Sequence, residues 1–116
     1  MPADVELIRG LYALFNSRDM ERVLAAMDPE VVWANGMEGG HVHGRDEVRS
    51  YWQRQWATID PHVEPVEISA NDPGEVMVKV HQVVHDLNGN LLADKPVTHV
   101  FQLRNGLIAR FDIGEA

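Results

Sequence analysis

The chain has 116 residues, of which 45% are hydrophobic, a formal net charge of −8 and no cysteine. Such a length suits one domain (residues 1–116) with a modest core, and the negative balance excludes a phosphate backbone or an anionic membrane as the main partner. Disulfides and thiolate chemistry are excluded as well, and charges recur too often for a bilayer span or a signal core, so a soluble, cytoplasmic protein is expected.

Val5, Ile8, Leu11, Tyr12 and Phe15 form an i, i+3, i+4, i+7 stripe, which predicts a first helix over about 3–17. Asp19 then reads as the N-cap of a short helix through Val23, Leu24 and Met27, ended by Asp28-Pro29 because the residue before proline avoids the helical region. A brief strand from Val31 to Asn35 follows, expected at a sheet edge. Gly44 then opens a third helix with Asp46 and Glu47 in its first turn, where the helix dipole favours negative charge. Val48, Tyr51, Trp52 and Trp56 recur on one face of it and need a large apolar partner.

Pro61 and Pro65 bracket a connector that holds a solvated His62. Strands are expected over about 63–70, 75–87, 91–104 and 107–113. Asn88-Gly89 signals a type I′ hairpin, and Arg104-Asn105-Gly106 marks a second. Helices followed by strands give an α+β domain whose helices lean on a mostly antiparallel, curved sheet and enclose a small-molecule pocket.

Six histidines are present. His99 alternates with Val97, Phe101 and Leu103 on the apolar face of its strand, so its imidazole needs a partner or a wet cavity; unsatisfied, it would cost about 1–3 kcal/mol. It reads either as a bonded core histidine or as a proton-transfer group near neutral pH. His81 and His85 share one face with Val83, while Val76, Val78, Val80 and Val84 take the other. Alternation and a two-residue turn, which sets Val78 opposite His99, bury the valines and expose the histidines. His41 and His43 form an H-x-H pair lacking a third ligand, a weak metal signal. Gly39-Gly40 is a loop without a phosphate-binding fingerprint.

The order of elements, the segment Asp28-Pro-Glu-Val-Val-Trp-Ala-Asn35, the segment His43-Gly-Arg-Asp-Glu-Val-Arg-Ser-Tyr-Trp52 and the ending His99-Val-Phe-Gln-Leu-Arg-Asn-Gly-Leu-Ile108 resemble the SnoaL-like branch of the nuclear transport factor 2-like superfamily. Ketosteroid isomerases and polyketide cyclases belong to that superfamily. The resemblance covers nearly the whole chain and implies a conical α+β fold, a bent sheet around a cavity, and a homodimer. It aligns Asn35 with the isomerases' carboxylate base, and an amide cannot take a proton at neutral pH. It aligns Leu11 with their oxyanion-holding tyrosine, leaving Tyr12 one residue off and turned elsewhere, and His99 with their protonated aspartate.

Against simple alternation, the resemblance turns His81, Val83 and His85 inward. This needs an extra residue before His99, for which Pro96 is a bulge site; the outward valines would then be covered in a dimer.

The leading reading is a small-molecule isomerase, cyclase or dehydratase acting by proton transfer on a cyclic or polyketide-like carbonyl compound, with neither metal nor organic cofactor. His99 would be general acid/base, His81 its partner and Asn35 the amide that positions substrate oxygen. Trp33, Trp52, Trp56, Val83, His85, Phe101 and Phe111 would form the walls, although the tryptophans also read as plain core. The alternative is a non-catalytic ligand-binding or dimerisation domain. An epoxide hydrolase, which usually needs an Asp-Arg-Asp arrangement, is disfavoured because Phe111 and Ile113, rather than Arg110 and Asp112, form the inward set of the last strand.

Overall fold

The computed structural model describes residues 2–35, 39–72 and 74–114. Helix α1 (Pro2–Asn16) buries Ile8, Leu11 and Tyr12, as its stripe requires. The Asp19 carboxylate accepts the Arg22 N–H and starts α2 (Met20–Ala25). That helix stops earlier than expected. The Ala26 N–H folds back on the Val23 carbonyl (3.1 Å), and the Ala26 carbonyl takes the Ile108 N–H (2.9 Å). Met27 therefore enters strand β1 (Met27–Ala34) ahead of the expected start at Val31.

A three-residue strand that the sequence did not announce, β2 (His41–His43), pairs antiparallel with β1. Helix α3 (Gly44–Thr58) follows directly, its N-terminus fixed by the Glu47 carboxylate accepting the His43 backbone N–H at 2.8 Å. The remaining strands are β3 (Ile59–Asp72), β4 (Glu75–Asp86), β5 (Leu91–Arg104) and β6 (Leu107–Gly114). They complete one curved sheet in the order β2-β1-β6-β5-β4-β3. All neighbours are antiparallel except β1 and β6. β1 is thus interior, held by β6 and β2, and the edges are β2 and β3. Helix α1 packs on β3 and β4, and α3 on β1, β2 and β3. Among the described residues no helix is long and apolar enough to cross a membrane.

Pro61 and Pro65 lie inside β3 rather than in a connector, which an edge strand tolerates because its outward side needs no donors. His62 is exposed there and pairs with Glu64. The Asn16 side chain caps this edge from α1, donating to the Val63 carbonyl (2.8 Å) and accepting the Val63 N–H (3.0 Å). Replacing Asn16 with alanine strands both backbone groups, and urea titration is expected to give a loss of about 1–2 kcal/mol.

The two hairpins exchange the expected turn chemistry. Of the pair Asn88-Gly89 only Gly89 has positive φ (91°). Gly89 N–H reaches the Asp86 carbonyl, and the Asp86 carboxylate accepts the N–H groups of Asn88 and Asn90, a type I turn closed by a bulge. Asn105 (φ 55°) and Gly106 (φ 78°) are both left-handed and form the two-residue I′ turn between β5 and β6. The register shift at the first hairpin falls between Val84 and His85, and beyond it the ladder is regular, with Val78 opposite His99.

Candidate functional site

Strand β5 points Val97, His99 and Phe101 at the helices, and all three are buried. The Tyr12 hydroxyl lies 2.7 Å from His99 Nδ1. The two rings are nearly parallel, with centroids 5.9 Å apart, and Phe111 presents itself edge-on to the imidazole at 4.8 Å. Burial lowers the His99 pKa from 6.5 to about 4 and pushes the Tyr12 phenol far above its ordinary range. Both groups are therefore uncharged at neutral pH.

The Tyr12 hydroxyl can donate to Nδ1 or accept from it, and the imidazole tautomer sets the direction. With the phenol as donor the imidazole proton lies on Nε2, and His99 lines the cavity. His99 is thus neutral rather than an imidazolium, and in that tautomer Nε2 is its N–H donor.

The cavity measures about 350 Å³, within the range of small-ligand pockets. Its walls include Leu11, Trp33, Trp52, Phe101 and Phe111, with polar groups from Gln55, Gln82 and Lys95. Gln55 donates to the Tyr51 hydroxyl at 3.2 Å, and its Oε1 is buried without a partner. No described carboxylate lines the cavity.

Several site residues expected from the sequence meet here and several do not. Trp33, Trp52, Phe101 and Phe111 line the cavity with His99. Trp56 stands behind the wall, stacked on Trp52 at 5.7 Å with the Arg18 guanidinium 5.0 Å over it. Asn35 is buried but outside the lining; its N–H and carbonyl close the β1–β2 turn onto Gly40 and Gly39. Its expected place beside the substrate oxygen is corrected accordingly.

His81, Val83 and His85 are also corrected, since they take the sheet face away from the cavity. His81 is exposed and bonded to Asp94, and His85 borders a separate polar depression near Arg18 and Asp86. The reason is the burial of Val76, Val78 and Val80 on the opposite face, all at 1% exposure or less. Pro96 carries no bulge, so the outward valines that would have called for a dimer do not arise.

His41 bonds Asp112 at 2.9 Å on the outer surface, and Arg110 pairs with the same carboxylate. Among the described residues no three histidines or carboxylates converge on a metal-sized space. Phe111 and Ile113 take the inward positions, leaving Arg110 and Asp112 outside the cavity, so the Asp-Arg-Asp arrangement of an epoxide hydrolase is not formed there.

Among the lining residues missed are the polar ones Tyr12, Gln55, Gln82 and Lys95. Tyr12 carried a signal, because a phenol on a buried stripe must find a partner and His99 needed one too. Gln82 interrupts the valine alternation Val76, Val78, Val80, and Lys95 precedes Val97 on the His99 face.

The chain belongs to the SnoaL-like domain family, which matches residues 8–111. No curated protein matches it. A solved nuclear transport factor 2-like protein of unknown function from Burkholderia pseudomallei is 28% identical, with TM-score 0.88 over 100% of this chain and 92% of that one. TerC, co-crystallised with polyporic acid, is 25% identical, with TM-score 0.85 over 98% and 92%. A proposed polyketide cyclase from Xanthomonas campestris pv. campestris is 25% identical, with TM-score 0.82 over 99% and 91%.

Proposed function

We propose that the chain is a small-molecule enzyme of the isomerase, cyclase or dehydratase type, acting on a cyclic or polyketide-like carbonyl compound held in the apolar cavity. The observation that carries this reading is the Tyr12–His99 pair aimed at that cavity from its wall. Tyr12 fixes the ring, and His99 Nε2–H meets the substrate carbonyl oxygen.

As the adjacent carbon loses its proton to water, the C–H electron pair becomes the new C=C bond. The carbonyl π pair moves to oxygen, where the donor stabilises it. A neutral imidazole suits this role, since its N–H needs no reorganisation when charge develops. With no carboxylate base among the described residues of the wall, the favoured substrates already have an acidic C–H, as β-dicarbonyl chains do. The likeness to a proposed polyketide cyclase supports the same class.

The test is α-proton exchange of 2-tetralone in D2O, followed by NMR. Wild type is expected to accelerate exchange, and His99→Ala to reduce the acceleration about a hundredfold. Tyr12→Phe keeps the fold and loses part of the rate by freeing the ring. The absence of a carboxylate among the described residues lining the cavity favours one second reading, a ligand-binding domain without turnover. Binding of the ketone with no exchange above buffer would select it.

A further inference from the structure

All the lysine and arginine side chains but one have a partner among the described residues. Arg9, Arg18, Arg22, Arg49, Arg104 and Arg110 pair with carboxylates, as does Lys79. Arg45 holds the Met27 carbonyl, and Arg54 is engaged as well. The exception is Lys95, an exposed residue that borders the cavity directly across the β4–β5 ladder from Gln82.

The chain has eight more acidic than basic side chains, yet none of its described carboxylates comes to this ammonium group. An unpaired cation and an amide side by side on a mostly apolar wall form a receptor for one anionic oxygen group.

We propose that the cavity takes a ring-shaped organic acid. Its ionised oxygen lies at Lys95 and Gln82, and its ring extends along β5 to His99. The ladder is regular between Lys95 and His99. Four residues of strand therefore separate them by about 13 Å, and once the lysine side chain leans back this span suits two fused rings. The inference rests on the cavity reading above and adds the charge and the polarity of the guest.

The experiment is calorimetric titration with 2-naphthoate and its uncharged counterpart 2-naphthamide. Wild type is expected to bind the acid about fivefold more tightly at low ionic strength, with the advantage shrinking near about 0.5 M salt. Lys95→Gln removes the advantage, lowering the affinity for the acid more than that for the amide, and Lys95→Glu reverses the preference. Lys79→Gln, which alters an exposed lysine paired with Glu67 away from the cavity, changes neither. Equal affinities for acid and amide in wild type, unaltered by Lys95→Gln, overturn the Lys95 assignment and leave the cavity reading in place. No binding of either compound overturns both.

Discussion

Replacing Trp52 with alanine is expected to lower the unfolding free energy by about 3–5 kcal/mol. The indole is 1% exposed and meets Trp33 edge-on at 5.3 Å, Phe15 at 5.5 Å and Trp56 in a stack at 5.7 Å. Its loss removes a large buried area together with three ring contacts, and α3 cannot slide in to refill the space while Glu47 and β2 hold its N-terminus. Against a typical total of about 5–15 kcal/mol, the variant should be near unfolding at 37 °C. Urea titration at 25 °C measures the loss. A value below about 1 kcal/mol would contradict the central place given to this ring, whereas Trp52→Phe should retain more than half of the stability.

The second large effect concerns acid. In the folded chain His99 stays uncharged down to about pH 4, because burial disfavours its imidazolium. In the unfolded chain the ring protonates near pH 6.5. Between those values the unfolded state binds more protons, so stability that is complete above pH 6.5 drains away as the pH falls towards 4. The contribution lost is about 2 kcal/mol at pH 5.

His99→Asn keeps an acceptor for Tyr12 but cannot titrate. Its unfolding energy should therefore fall less than that of wild type between pH 7.5 and pH 5, by that amount. The other ionisable groups are common to both proteins and cancel in the difference. Parallel pH profiles would show that His99 exchanges protons freely with solvent, which would remove the neutral donor from the mechanism.

The sequence disclosed the elements whose pattern is local. The α1 stripe, the Asp19 cap and the long β5 run follow from spacing and from one-residue chemistry, and so does the inward turn of His99. For β4 the alternation of Val76, Val78 and Val80 pointed to the observed facing while the family likeness pointed the other way, and the sequence alone did not settle between them.

Other features depend on encounters between distant segments. β2 exists because β1 offers it an open edge, and β1 begins early because Ile108 captures the Ala26 carbonyl. The Tyr12–His99 contact joins residues 87 apart in the chain, and only the crossing of α1 over the sheet determines which aromatic of the stripe arrives there. Lys95 was hidden for a different reason: a lysine two residues before an apolar run reads as solvated until the wall it belongs to is known.

The edge strand β3 has a wider consequence. Backbone groups of alternate residues point away from β4, and along this stretch they belong to residues 61, 63 and 65. Two of these are prolines with no N–H, the Val63 pair is occupied by Asn16, and the Pro61 carbonyl is taken by Arg18 at 2.8 Å. A long exposed strand is ordinarily a template on which a second chain can polymerise. Here that half of the border offers an incoming strand no amide donors, so amyloid-like growth is blocked on this flank by the covalent structure of the chain itself.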